Sequence, residues 1–274
     1  MDIDVKMLGT LEVTVDGHSI LPSAAKPRQL LALLALNAQR YVSVSTLKTE
    51  MWGHQPPRTS TTVLHTYIGK LRRSLGSAMR NGSAREAKEV LATERIGYRL
   101  MVPHGCVDVD RYEQAAAIGR RAAEKGDYLA AAESLDRALA LWRGAALSDI
   151  VAGPHVSAEL VRLEETRLSD LDTRMEAELR LGRHRQLLGE LAGLCAKFPD
   201  SENFSAKYML ALYRSGHQGR ALEVFQRLRG TMMEELGVDP SANIRRLHLA
   251  VLRGEPAVEN PNFYTNEWAT RALA

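Results

Sequence analysis

The chain has 274 residues, of which 45% are hydrophobic and 25% charged, a composition typical of a globular protein with room for two domains. No apolar run approaches the roughly 18 residues of a membrane span, and the acidic start of the chain lacks the basic region of a secretion signal. Cys106 and Cys195 lie far apart and the histidines are scattered, so we expect free thiols in a reducing cytoplasm and no metal site.

The net charge of +3 is unevenly distributed along the chain. Residues 1–106 hold 14 Lys and Arg against 8 Asp and Glu, whereas residues 107–274 hold 22 against 25. A basic surface that attracts an anionic partner is therefore expected in the first part of the chain.

The first hundred residues begin and end with predicted β-structure. Apolar and polar residues alternate over residues 3–21, where Asp16-Gly17 is a strong hairpin turn. Residues 90–102 predict a second hairpin, with Thr93-Glu94-Arg95 near its tip. Its apolar residues are Leu91, Ile96, Tyr98 and Leu100. Residues 77–88 before it are small and polar, which predicts a loop.

Two helices are predicted between these hairpins. Pro27 suits the first turn of one helix, and residues 29–36 after it are rich in Leu and Ala. Ser43 or Ser45 can cap the second helix. The buried residues of that second helix would be Leu47, Met51 and Trp52.

A third helix follows Pro56 and Pro57, which cannot lie inside a helix. Thr59 or Ser60 can cap it, because a hydroxyl accepts a bond from an unpaired N–H of the first turn. Apolar residues then recur at steps of three and four and form one stripe. They are Leu64, Ile68, Leu71 and Leu75.

The remaining faces of this third helix carry hydroxyls, an imidazole and cations. No Asp or Glu occurs between Glu50 and Glu86, although that stretch holds six cations. A solvated face usually mixes both signs, so a single sign favours an anionic partner such as nucleic acid. The alternative is an ordinary amphipathic helix with a chance excess of charge. The six cations are Arg58, Lys70, Arg72, Arg73, Arg80 and Arg85.

Strands, three helices and a terminal hairpin follow the order of a winged helix-turn-helix, in which the third helix enters the major groove. Lys and Arg can bind guanine O6 and N7, and a Thr methyl group can meet the thymine methyl. Thr62, Thr66, Lys70 and Arg73 would face the groove. For Tyr98 a core position is an equally good interpretation. The candidate DNA contacts are Arg58, Thr61, Thr62, His65, Thr66, Lys70, Arg72, Arg73, Arg95 and Tyr98.

After Val107 the pattern is helical throughout. Gly182 and Gly216 lie 34 residues apart, the period of tetratricopeptide repeats, and Gly126-Asp127-Tyr128 is similar to an earlier copy of the same turn. Residues from Gly254 onward show little periodicity and predict a frayed tail. The predicted helices are residues 110–125, 128–142, 157–181, 184–198, 203–215, 219–236 and 241–252.

An enzyme is disfavoured by the spacing of the charged residues. The Asp and Glu residues of 159–178 alternate with Arg at helical spacing, which indicates a salt-bridged solvent face rather than paired catalytic carboxylates. No G-x-x-x-x-G-K-[ST] motif occurs, so we expect neither a bound nucleotide nor any other cofactor.

The two halves together resemble the Streptomyces antibiotic regulatory protein (SARP) family of bacterial transcription activators over about residues 3–253. In the first half the resemblance rests on Lys26-Pro27-Arg28-Gln29, Trp52-Gly53-x-x-Pro56-Pro57, residues 61–68 with Leu71-Arg72-Arg73, and Gly97-Tyr98-Arg99-Leu100. In the second half it rests on Val109-Asp110-Arg111-Tyr112, Ala140-Leu141-Trp142-Arg143-Gly144, residues 210–216 and residues 235–240.

This resemblance implies an OmpR-type winged helix over residues 1–106, a bacterial transcriptional activation domain of tetratricopeptide-like helices over 107–253, and a flexible tail over 254–274. It implies binding to direct repeats in promoters of antibiotic biosynthesis genes, as a homodimer on DNA at the nucleoid. It also implies contact with RNA polymerase holoenzyme through Trp52, Gly53, His54 and Gln55. The alternatives are a repeat-type protein scaffold and a repressor with the same DNA-binding domain.

Overall fold

The protein is described by a computed structural model that covers residues 2–80 and 82–260 and divides into two compact units. The first unit takes the described residues up to Ala117 together with Arg137–Leu168. The second unit takes Ile118–Asp136 and the described residues from Ser169 onward. Residues 107–117 and 137–168, which we assigned to the activation domain, are thus grouped with the winged helix in this division.

A small antiparallel sheet opens the first unit, in the order β1-β2-β3. Its strands are β1 (Ile3–Lys6), β2 (Glu12–Val15) and β3 (His18–Ser19). The predicted turn is present, because Val15 pairs with His18 across Asp16-Gly17. Asp16 and Gly17 have φ angles of 47° and 84°, the left-handed values that a tight hairpin turn requires.

Helices α1 (Ala25–Leu36), α2 (Val44–Trp52) and α3 (Ser60–Ala78) follow as predicted. A second sheet, in the order β4-β6-β5, closes the winged helix with β4 (Val42–Ser43), β5 (Leu91–Glu94) and β6 (Gly97–Leu100). Helix α4 (Ala84–Val90) was not predicted; it lies where we expected a loop. Ser83 and Glu86 form a reciprocal capping box at its start, a local signal that the small, polar composition of the segment conceals.

One prediction for the ends of α2 and α3 is confirmed and two are wrong. Ser43 caps α2 as expected, since its hydroxyl accepts from the N–H of Thr46 at 3.0 Å. Trp52, however, is only half-buried, and Glu50 occupies the core instead. Thr59 stands at the cap position of α3, but its hydroxyl makes no capping hydrogen bond.

Long-range carboxylate contacts explain why residues after 106 belong to the first unit. At the start of α5 (Asp108–Glu124), the Asp108 carboxylate accepts from the backbone N–H of Met7 at 2.8 Å and of Leu8 at 2.9 Å. Val107 also pairs with Val5 as a parallel bridge. Burial raises the pKa of Asp108, while the backbone N–H groups act in the opposite direction.

Two more carboxylates make contacts of this kind. Asp149 accepts from the N–H of Leu11 at 2.8 Å and pairs with Arg28 at 3.1 Å. Glu50 accepts from the N–H of Gly153 at 2.6 Å, directly before α7 (Pro154–Arg180). A winged helix that ended at residue 106 would leave the Leu11 N–H without this acceptor and the Glu50 carboxylate without this donor.

All seven helices predicted after Val107 are present, with ends shifted by up to three residues. Besides α5 and α7 they are α6 (Tyr128–Leu139), α8 (His184–Lys197), α9 (Glu202–Arg214), α10 (Gln218–Glu235) and α11 (Ala242–Arg253). The fold class is therefore confirmed: a winged helix-turn-helix with a small β part, followed by a tetratricopeptide-like set of helices.

The predicted turn is present at all three positions where the sequence placed it. Gly126, Gly182 and Gly216 all have left-handed φ angles of 75° to 86°. In each copy the residue after the glycine donates its N–H to a carbonyl five residues earlier, as Arg183 does to Glu178 at 3.0 Å. The same hydrogen-bonded turn thus follows α5, α7 and α9, which supports the repeat that the glycine spacing predicted.

The predicted tail is partly folded. Pro256–Glu259 forms a 3-10 turn in which Val258 is buried, and Arg214 donates to the Val258 carbonyl at 3.0 Å. The prediction of a frayed end is therefore wrong for residues 256–259. The last part of the predicted tail, residues 261–274, lies outside the described residues.

Candidate DNA interface

Helix α3 is held by its apolar stripe, which leaves the opposite face to solvent. Leu64, Ile68, Leu71 and Leu75 are all buried, as predicted. Because the helix turns by 100° per residue, the side chains between these positions point away from the core. The exposed ones include Thr61, Thr62, His65, Thr66, Lys70 and Arg73, the face that the sequence predicted.

The cations of this face are not neutralised inside the protein. Lys70 and Arg73 form no ion pair within residues 2–80 and 82–260, and the same holds for Arg58 just before the helix. Arg85 on α4, in contrast, pairs with Glu89 at 3.3 Å. Exposed cations without a carboxylate partner can neutralise phosphates or donate to guanine without first breaking a bond in the protein.

The hydroxyl proton of Thr66 is used in a hydrogen bond within α3. The hydroxyl donates to the backbone carbonyl of Thr62 at 2.9 Å, one turn earlier. The side chain therefore offers DNA its methyl group and an acceptor oxygen, which suits apolar contact with a thymine methyl.

Arg72 and Tyr98 have structural contacts that the sequence did not reveal. The Arg72 guanidinium donates to the Leu91 carbonyl at 2.6 and 2.9 Å and to the Thr93 hydroxyl at 2.7 Å. It also lies over the Tyr98 ring, which is 5% exposed. Burial lowers the pKa of Arg72 and raises the pKa of Tyr98. Arg72 thus connects α3 to the β5–β6 hairpin, the wing of the winged helix. Tyr98 lies in the core, so of its two predicted roles the structure favours the core position over the DNA contact.

The wing brings Arg95 to the surface at the tip of the β5–β6 hairpin. Glu94 pairs with Gly97, so Arg95 and Ile96 form a two-residue turn. Arg95 has a φ angle of 44°, a left-handed conformation that costs a non-glycine residue roughly 1–2 kcal/mol. Its side chain is exposed and forms no ion pair among the described residues, so it is free to meet DNA.

We expect Arg95→Ala to weaken DNA binding by on the order of 1 kcal/mol, because one cation is lost from the wing. Its melting temperature should stay at the wild-type value. Arg95→Gly relieves the left-handed strain, so it should bind as weakly as Arg95→Ala without melting earlier. Thermal melts and duplex titrations check both variants. Early melting with normal affinity once folded would make Arg95 a structural residue.

The loop between α2 and α3 presents the predicted polymerase contacts. His54 and Gln55 are exposed, while Trp52 and Gly53 are half-buried. The loop starts from a fixed point, since the side chain of Gln29 donates to the Glu50 carbonyl at 2.7 Å and Lys26 donates to that of Met51. Gly53 ends α2 with φ 64° and ψ −141°, a conformation that only glycine adopts readily.

The described residues contain neither a metal site nor a membrane span. No group of three or more His, Cys, Asp or Glu side chains within residues 2–80 and 82–260 is arranged to hold a metal ion. Over the same residues, no helix is both long enough and apolar enough to cross a membrane.

Comparison with known proteins identifies both halves of the chain. Residues 20–100 match the family described as transcriptional regulatory protein, C terminal, and residues 107–252 match the bacterial transcriptional activator domain. Regulatory protein DnrI of Streptomyces peucetius is 45% identical over 272 residues, which cover 99% of this chain and all of DnrI. The chain belongs to the Streptomyces antibiotic regulatory protein family.

Other relatives of this SARP are larger. Regulatory protein AfsR of Streptomyces coelicolor is 34% identical over 268 residues, which cover 97% of this chain but 26% of AfsR. The solved structure of Mycobacterium tuberculosis EmbR with a low-affinity phosphopeptide superimposes with a TM-score of 0.85 at 31% identity, covering 99% of this chain and 70% of EmbR. This SARP is accordingly a transcriptional regulator with a DNA-binding domain and an activator domain.

Proposed function

We propose that this SARP activates transcription by binding direct repeats in promoters of antibiotic biosynthesis genes and recruiting RNA polymerase. The observation that carries the proposal is the exposed face of α3, on which Lys70 and Arg73 have no ion-pair partner in the described chain. The proposal includes no enzymatic step and no cofactor. It places the protein in the bacterial cytoplasm, at the nucleoid.

The second unit supplies the protein contacts in this proposal. Stacked helical repeats present extended surfaces that bind other proteins. We assign these helices to contacts between two protomers on adjacent repeats. Two weak sites joined in this way gain affinity through effective concentration.

The α2–α3 loop is our candidate for the polymerase contact. His54 and Gln55 are exposed on a loop whose first residues are held by Lys26 and Gln29. A surface loop fixed at its base can meet a partner protein without a large loss of conformational entropy. The match of residues 107–252 to an activator domain favours activation over repression.

Replacing Lys70 or Arg73 by Ala should weaken binding by roughly 1–3 kcal/mol if the residue binds a base, with relaxed preference at one position. If the residue meets only phosphate, binding should weaken on all sequences and the salt slope should fall by about one. Arg253→Ala, which removes the same charge from an exposed position of the second unit, is the control.

Footprinting on DNA upstream of the neighbouring gene cluster, followed by titration at several salt concentrations, tests the whole proposal. Protection of two direct repeats is the expected result. If the protein is instead a protein-binding scaffold, we expect its DNA binding to show no sequence preference and little salt dependence. Unchanged DNA binding by both the Lys70→Ala and the Arg73→Ala variant would contradict the placement of α3 in the major groove.

A further inference from the structure

The tip of the wing presents an apolar side chain that the fold does not use. Ile96 is 76% exposed, the highest value for any large hydrophobic residue in the described chain. The sequence predicted it only as one of the apolar residues of the hairpin. Two-residue turns favour Asn, Gly and Asp, so a β-branched residue here is not explained by local conformational preference.

The backbone of the tip is nevertheless firmly held. The Ile96 carbonyl accepts from the N–H of Val44, the first residue of α2, at 2.9 Å. The next residue, Gly97, lies so close to β4 that an added Cβ would sit 2.3 Å from the Val42 carbonyl oxygen. Glu94 and Arg99 pair across the hairpin at 2.6 Å. These contacts fix the turn in place and leave the Ile96 side chain in solvent.

Arg95 precedes Ile96 in the strained left-handed conformation described above, and its charge is free of ion pairs in the described chain. A cation beside an exposed aliphatic group is the combination that suits the minor groove of DNA. The negative potential of a narrow groove attracts Arg, and aliphatic side chains pack against sugars and between base steps.

Resting on the proposed function, we infer that Ile96 enters the minor groove beside Arg95 and acts as an apolar wedge against one base step. Its effect on binding depends on how easily that step opens. Flexible pyrimidine–purine steps such as TA open more readily than a stiff A-tract, so the wing adds sequence preference outside the α3 contacts.

The test compares Ile96→Asn, Ile96→Leu and Val151→Ala in the full-length protein. Asn suits a turn and removes the apolar wedge, so it should retain the wild-type melting temperature but bind a single promoter repeat about tenfold more weakly. Leu retains an aliphatic contact and should stay within about twofold of wild type. Val151 is an aliphatic residue of the first unit with a matching exposure of 74%, and its replacement should change nothing.

Hydroxyl-radical footprinting locates the contact. With Ile96→Asn the minor-groove protection at the wing should fade while the protection around α3 persists, and exchanging the protected step from TA to AA should weaken wild type more than Ile96→Asn. Wild-type affinity of Ile96→Asn on a single repeat would overturn the inference. So would a loss confined to cooperativity on tandem repeats, since Ile96 would then contact protein. Absence of sequence-specific binding by wild type would instead contradict the proposed function.

Discussion

Glu50→Ala should destabilise the first unit by about 3 kcal/mol, because it removes the shared acceptor of three backbone N–H groups, one of them buried and two part-buried. Glu50 is 2% exposed. Its carboxylate accepts from the N–H groups of Gly153 at 2.6 Å, His155 at 2.9 Å and Val156 at 3.2 Å, and so caps the start of α7. The Gln29 amide donates to it as well, at 3.3 Å.

Glu86→Ala is the matched control for this experiment. Glu86 is also a glutamate that accepts from a backbone N–H, that of Ser83 at 2.8 Å, but it is exposed. Water can replace an exposed acceptor, so this variant should lose only about 1 kcal/mol. Urea melts of the two variants measure the difference in the free energy of unfolding. Equal losses would show that Glu50 is not the buried link that its contacts indicate.

A fragment of residues 1–106 should fail to fold stably, whereas residues 1–168 should fold and bind a single repeat. The sequence analysis placed the whole winged helix within residues 1–106. In the structure the backbone N–H groups of Met7 and Leu8 are satisfied by Asp108, and that of Leu11 by Asp149. Cutting after 106 removes both carboxylates and exposes Met7 and Leu8, which are fully buried in the intact chain.

Circular dichroism melts and single-repeat titrations of both fragments check this expectation. The 1–168 fragment retains every residue of the first unit, so its affinity for one repeat should approach that of the full chain. It lacks the described helices from α8 onward, so cooperativity on tandem repeats and activation with purified polymerase should both fall. If the 1–106 fragment has the same melting temperature as the 1–168 fragment, the predicted domain boundary after residue 106 would be supported instead.

Local sequence patterns determined the elements and the candidate surface. The stripe of Leu64, Ile68, Leu71 and Leu75 specified which face of α3 is buried, and with it the cationic face that remains. Asp16-Gly17 specified its turn, and helical periodicity located all seven later helices. These features depend on residues within a few positions of each other, so their physical causes are visible in the sequence.

Only the tertiary structure decided what the charged and polar residues do. Arg72 has the same sequence context as Arg73, yet it is bonded to Leu91 because β5 packs beside α3, whereas Arg73 remains exposed. Glu50 and Asp108 resemble ordinary acidic residues until chain segments about 100 residues away bring backbone N–H groups to them. The partner of a buried charge is set by how distant segments pack, and no local periodicity encodes that packing.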